Sequence, residues 1–436
     1  MLRIALPAAL GLMSYAAMQA LDCALLGHYN TTDQAGAGLT FILVWALMSP
    51  VLGTMSGIAT FSAQYKGAGR YKRAGRHLRS VVLLAAVASL PYLLFAYLGP
   101  DLVQIVFKAD PAVEHAAGQY LRIRLCGAVF FCIAMGTSSF FRGSGDAVTP
   151  LKVSIVANLL NLVLDYLLIF GHAGFPEMGV RGAALATILA QAFEAAAFLY
   201  LMFSNGKLRK VFGTGFRGRI HWVEVRRLIR VGGPIGAFWF FEAMAWAVFM
   251  GMLGSFDAAV TAANFAAFQI MHLSFLPVVG LLQAAQSLVG QYIGAGDPDT
   301  GRRRGFLCMR MGVAFMSFTG ILMLVFRGTL ISVFNPDADV VRVGGQVLVW
   351  VAVAQPFDAM AMTALGALRG AGDTIFAFLV LVVVAWLVFV PSTYLIAFPL
   401  GGGPATAWIG ALAFLMILAG VTVNRLRGRS WEKKRL

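Results

Sequence analysis

Apolar and polar residues in this chain are sorted into long hydrophobic blocks separated by short polar stretches. Twelve blocks are long enough to cross a bilayer as helices. They fall at 3–27, 37–62, 79–98, 116–138, 150–170, 181–203, 228–253, 259–288, 306–326, 342–366, 374–397 and 405–425. The connecting loops are short, and none has the length of a soluble domain. The N-terminal block runs on to Leu26 and carries Gln19 and Asp22. It reads as a first spanning helix rather than a cleaved signal peptide.

The pattern occurs twice. QYKGAG at 64–69 returns as QYIGAG at 291–296, and RGSGD at 142–146 returns as RGAGD at 369–373. Pro7 pairs with Pro234, Pro50 with Pro277, Val106-Phe107 with Val333-Phe334, and Asp110 with Asp337, always at the same separation along the chain. One offset for every landmark implies two halves of six helices. Six is even, so both halves insert the same way up, and a pseudo-two-fold axis along the membrane normal is predicted. The expected fold is an all-α integral membrane protein of twelve transmembrane helices in two six-helix lobes. The division is 1–206 for the first lobe, 207–227 for a basic cytoplasmic linker and 228–436 for the second lobe.

Composition supports this reading. The chain is 59% hydrophobic and 12% charged, with mean hydropathy +0.79, which no soluble core requires. Its net charge of +15 would suggest nucleic acid in a soluble protein. Here it reads as an orientation signal, with the lipid bilayer as partner and no nucleic acid. With both termini inside, 28 of the 34 Lys and Arg lie on the inner side. Lys108, Arg122, Arg124, Arg181, Arg327 and Arg342 remain outside. The positive-inside rule then puts both termini in the cytoplasm of a multi-pass protein of the cell (inner) membrane. Cys23, Cys126, Cys132 and Cys308 show no C-x-x-C spacing, so neither a metal site nor a disulfide framework is expected.

The repeated Gly, Pro and charged positions have structural explanations. Gly67, Gly69, Gly294 and Gly296 suit helix ends that need positive φ. Arg142 and Arg369 are placed to snorkel toward headgroups. Asp146 and Asp373 suit N-caps, and Pro50 and Pro277 should kink their helices alike.

The acids inside spans do not repeat. They are Asp22, Asp165, Glu194, Glu242 and Asp358, and their counterparts are Phe249, Ser392, Val421, Tyr15 and Phe131. A carboxylate at the centre of a membrane helix costs roughly 2.5–3.5 kcal/mol on insertion scales, so each needs a partner, a cavity or an ion. Asn158, Asn161 and Asp165 fall within an arc of about 60° on one helix face. So do Thr187, Gln191 and Glu194. If the first, fifth and sixth helices converge, Asp22 joins both stripes in an oxygen-rich pocket. Oxygen ligands suit a hard monovalent cation. Two carboxylates brought close would equally hold one proton between them. In the second half, Trp239 and Trp246 flank Glu242 at i−3 and i+4, and Gln355 and Met362 flank Asp358 likewise. A carboxylate among aromatic rings suits an organic cation. His272 reads as a packed polar residue rather than a proton relay. No enzyme motif is present, neither H-E-x-x-H, a P-loop nor G-x-S-x-G.

These elements resemble the multidrug and toxic compound extrusion (MATE) transporters over essentially the whole chain. The resemblance lies in the two six-helix halves, MQALDCALLGH around Asp22, the paired QYxGAG and RGxGD elements, and the linker. It implies that Asp22, Asn161, Asp165 and Thr187 form the first-lobe cation or proton site, with Na⁺ as ligand if the protein is sodium-coupled. It also implies that Glu242 in FFEAMAWAVF and Asp358 in QPFDAMAMTALGALRGAGD are the second-lobe acids of the NorM-like branch. The chain departs from that branch at Ala354, where a tyrosine is expected, which weakens a second-lobe sodium site. The implied activity is antiport: inward Na⁺ or H⁺ flow drives export of organic, cationic drugs or toxins by alternating access. Ion binding would bias the first helix near Pro7. No cofactor beyond the coupling ion and no enzymatic activity are expected, and the protein should act as a monomer. The competing readings are a lipid-linked oligosaccharide flippase, which needs cationic residues in its cavity, and a non-transporting membrane scaffold.

Overall fold

The computed structural model describes residues 1–106, 110–204, 206–214 and 222–432. Phe107, Lys108, Arg217, Arg219, Lys433, Lys434 and Arg435 lie outside the described residues. The described chain is all helical. Eleven helices are long and apolar enough to cross a membrane, and one bent pair completes twelve. In chain order the first six are α1 (Leu2–Tyr29), α2 (Thr31–Gly67), α3 (Tyr71–Tyr97), α4 (Pro111–Cys126 bent by 53° into Ala128–Gly143), α5 (Val148–Phe170) and α6 (Val180–Phe203). The second six are α7 (Trp222–Leu253), α8 (Ala258–Ala295), α9 (Pro298–Val325), α10 (Ala338–Ala371), α11 (Thr374–Ala397) and α12 (Gly403–Arg427). Each coincides with or extends the block expected from the sequence, except that α3 and α9 stop one residue short of theirs, at Tyr97 and Val325. Pro7 lies inside α1.

The sequence repeat holds at the level of helix ends. Asp110 caps α4 by accepting from the Ala112 N–H at 2.9 Å, and Asp337 caps α10 by accepting from the Asp339 N–H at 2.9 Å. Gly69 and Gly296 turn the chain at φ +68° and +84°, and Gly145 and Gly372 do so at +82° and +87°. These are left-handed positions that favour glycine. Gly67 and Gly294 do not share that role, because both are still helical. Close packing repeats too. A Cβ at Gly143 would fall on the Ala59 carbonyl, and one at Gly370 on the carbonyl of Gln286, the repeat counterpart of Ala59.

Three expectations about charged residues are corrected. Arg369 does not snorkel: it is 4% exposed, with its guanidinium 4.5 Å above the Phe238 ring. Arg142 folds back along its own helix and donates to Ser139 Oγ at 3.0 Å. Asp146 receives the Thr149 N–H at 3.0 Å as a cap should, but Asp373 makes no side-chain cap and instead accepts from Arg425 Nε at 2.9 Å. An arginine within reach outcompetes a backbone amide for a buried carboxylate. His272 is also not packed among helices; it is exposed, with only Phe275 at 6.1 Å among the described rings.

Packing divides the chain into two compact units. One is Leu10–Gly236; the other joins Met1–Ala9 to Ala237–Leu436. The crossover points, inside α1 and inside α7, are equivalent positions of the repeat. In the first unit Gly232 and Gly236 let α7 approach the backbone of Thr54 and Pro50. In the second, Gly280 sits against Ala5 and Ala9. Gly236 and Ala9 are equivalent in the repeat, as are Pro50 and Pro277. The packing boundary therefore follows these small-residue contacts, which draw each helix away from its own half, rather than the basic linker.

Candidate ion-coupling site

The first unit places several helices around one polar pocket, wide enough for a water-sized particle. Tyr15, Gln19 and Asp22 line it from α1, Phe41 and Trp45 from α2, Tyr120, Arg124 and Phe131 from α4, and Thr187 from α6. The bend in α4 helps to build it. It occurs at Gly127, where a side chain would collide with Ile188, the neighbour of Thr187.

Asp22 leads from this pocket to α5. Its carboxyl interacts directly with that of Asp165, and Asp165 with Asn161. Asp165 and Asn161 are fully buried. Among the described residues, neither carboxylate oxygen of Asp165, neither polar atom of the Asn161 amide, nor Asp22 Oδ1 has a partner in full hydrogen-bond geometry. Two ionised carboxylates are acceptors only, so they cannot bond each other until a proton arrives. A buried acceptor without a protein donor is costly, so these oxygens favour a proton, a cation or water beside them. Thr187 lines the pocket, and its Oγ1 donates to Ala183 O at 2.8 Å.

The other first-half residues have local partners. Asn158 Nδ2 donates to Ser14 Oγ at 2.7 Å and so ties α5 to α1. Glu194 accepts from Ser154 Oγ at 2.6 Å, with the Arg142 charge nearby. Gln191 is 6% exposed and accepts from Arg124 Nη1 at 3.2 Å.

Arg124 is the residue that sequence reading misplaces, because counting loop charges puts it on the outer surface with Arg122. Arg122 is indeed exposed, but Arg124 is 6% exposed. Arg124 lies well inside α4, about 20 Å along the helix at a rise of about 1.5 Å per residue. Its charge acts on Asp22, Asp165, Tyr15 and Tyr120. Its spacing holds the signal: Arg124 stands one turn after Tyr120 on the same face, whereas Arg122 points elsewhere.

In the second unit Glu242 and Asp358 are near enough to influence one another, and Glu242 also feels Arg369. Both acids are half-buried. Their proposed companions are mostly packing residues. Gln355 is buried and donates to Ser274 Oγ at 3.0 Å, and Met362 belongs to the hydrophobic core. Trp246 stands in an aromatic cluster with Phe389 at 5.0 Å, Phe249 at 5.6 Å and Phe268 at 5.6 Å. Trp239 is half-buried against the same core.

Comparison with known proteins agrees with the repeat. The chain matches the MatE family over residues 7–167 and again over 234–395. Among curated relatives, "Probable multidrug resistance protein NorM" of Mesorhizobium japonicum is 30% identical over 433 residues, covering 97% of this chain and 92% of the relative. The protein of the same name from Thermotoga maritima is 29% identical over 420 residues, covering 95% and 88%. The crystal structure of a eukaryotic MATE transporter superposes with a TM-score of 0.89 at 19% identity, over 99% of this chain and 96% of the other. At that identity the likeness concerns the fold alone. The double match, the full-length relatives and the shared fold agree: this chain is a multi-pass membrane protein belonging to the MatE family.

Proposed function

We propose that the protein is a cation-coupled antiporter that exports organic, chiefly cationic, drugs or toxins by alternating access, with Na⁺ or H⁺ as the coupling ion. The observation that carries this reading is the Asp22–Asp165 pair, with its unpartnered buried acceptors beside Asn161 and Thr187. The relatives that span the chain are named for multidrug resistance. A cation bound at the pair neutralises buried negative charge, and its release restores it. That difference is the free energy available to bias two conformations. On this reading the protein is a monomer in the inner membrane with both termini cytoplasmic, and it catalyses no chemical reaction.

Glu242 and Asp358 supply negative charge for a cationic substrate. The flippase reading is not favoured. It needs free cations in the cavity, and the buried arginines Arg124 and Arg369 both lie close to carboxylates.

The test is ethidium efflux from proteoliposomes under a Na⁺ gradient and a pH gradient imposed separately. Efflux should follow one gradient and be lost in Asp22→Asn. No efflux of ethidium or other organic cations under either gradient would sink antiport. An unimpaired Asp22→Asn variant would move coupling to Glu242 and Asp358.

A further inference from the structure

Sodium coupling at Asp22 and Asp165 requires that a second positive charge settle there, yet one is already built into the protein. Arg124 is buried, and the charge of its guanidinium reaches both carboxylates. Among the described residues it forms no ion pair within 4.0 Å with either acid. It is held beside them by Gln191 Oε1 at 3.2 Å.

We infer that Arg124 is the resident cation of the Asp22–Asp165 pocket and bars Na⁺ from it. This rests on the ion-coupling reading above and deepens it. Two properties of the site support exclusion. As an order of magnitude, two unit charges separated by about 5–8 Å at an effective dielectric near 20 repel enough to weaken binding of the second by about 30- to 300-fold. Arg124 also removes a ligand, because the Gln191 oxygen is engaged and that side chain offers only its unpartnered Nε2 to the surroundings. A proton meets the same repulsion, but an ordinary carboxylate binds a proton with an affinity of about 10⁴ M⁻¹ and has that much to lose. A proton also needs no coordination shell, only the carboxyl–carboxyl contact already present.

Among the described residues the charged and titratable groups around the pair are few. They are Tyr15 on α1, Tyr120 and Arg124 on α4, and Glu194 on α6, the last engaged by Ser154. From α2 the pocket receives Phe41, Val44, Trp45 and Met48, none of them titratable. Arg124 is thus the one group among these that can stand in for a metal cation. Its repeat counterpart is Val351, so this charge belongs to the first half alone.

The experiment is equilibrium ²²Na⁺ binding to the purified full-length protein at alkaline pH. Wild type and Asp165→Asn should both lack saturable binding at physiological Na⁺. Arg124→Gln should gain saturable binding, with an affinity at least tenfold above the weakest the assay detects, lost again when Asp165→Asn is added. Arg124→Lys, which keeps the charge, should remain without it. Saturable wild-type binding that disappears in Asp165→Asn would overturn the inference, and this pair decides it even if Arg124→Gln does not fold. A folded Arg124→Gln variant that still excludes Na⁺ would overturn it as well. Failure of the antiport reading shows up separately, as absence of efflux under both gradients, because ²²Na⁺ binding does not depend on transport.

Discussion

Equivalent positions of the two units carry opposite chemistry. In the first unit Asp22, Arg124 and Thr187 line a polar pocket, and Asn161 lies behind it beside Asp165. The repeat counterparts of Asp22, Arg124, Asn161 and Thr187 are Phe249, Val351, Val388 and Phe414. Phe249 and Phe414 are almost wholly buried, each with its ring 5.1 Å from that of Phe389 in the aromatic core. The reverse also holds. Glu242 and Asp358 correspond to Tyr15 and Phe131, which stack at 6.4 Å in the first unit. Glu242 and Asp358 thus stand where the first unit has aromatic rings, and Asp22 stands where the second unit has one, while the counterpart of Asp165 is Ser392. The backbone contacts that bring these helices together are common to both. A duplicated scaffold fixes where helices meet, and the side chains at the meeting points decide which unit carries a polar pocket there and which an aromatic core.

The largest expected effect comes from forcing one chemistry into the other's place. Phe249→Asp should abolish folded protein. Losing a buried phenylalanine costs about 3–5 kcal/mol, and an unpaired buried charge adds several more. A monodisperse, normally abundant Phe249→Asp variant on size-exclusion chromatography would break the comparison. Next, Asp165→Asn should lower gradient-driven ethidium efflux at least tenfold with little loss of thermal stability, since it removes the coupling charge but retains the shape. An intact rate would place coupling elsewhere.

The shared scaffold predicts matched penalties. Gly143→Ala and Gly370→Ala each press a methyl group onto a neighbouring carbonyl. Each should cost about 1–3 kcal/mol, and the two should agree within about a factor of two. Thermal unfolding in detergent reads both, and a large cost at only one would show that the packing is not truly repeated. The smallest effect is expected at Asn158→Ala, which removes the bond to Ser14 and should cost about 1 kcal/mol without changing which gradient drives efflux. A changed ion dependence would mean that Asn158 belongs to the ion site.

Much of this arrangement is legible in the sequence because it rests on local or periodic signals. Apolar runs mark the spans, a constant offset marks the repeat, and acids in apolar surroundings mark Asp22 and Asp165. What escapes depends on tertiary packing. Arg124 counts with the outer charges because loop arithmetic treats every arginine near a helix end as exposed, and helix α4 is longer than its apolar block. Trp246 has the spacing of a ligand-binding residue, but its neighbours Phe389 and Trp408 lie far along the chain. Asp373 sits where an N-cap belongs, and only the folded chain brings Arg425 to it. The crossover of packing at Ala9 and Gly236 has no composition shift to announce it.

On the reading proposed above, ion coupling resides in the first unit while the second unit's acids serve another purpose. The most direct measurement compares Asp165→Asn with the double variant Glu242→Gln/Asp358→Asn in proteoliposomes, by ethidium efflux under the gradient that drives wild type. Asp165→Asn should lose at least tenfold in rate. The double variant should keep the same gradient dependence, with a weakened apparent affinity for ethidium. A double variant that no longer responds to the gradient, beside an Asp165→Asn protein that still does, would contradict the account.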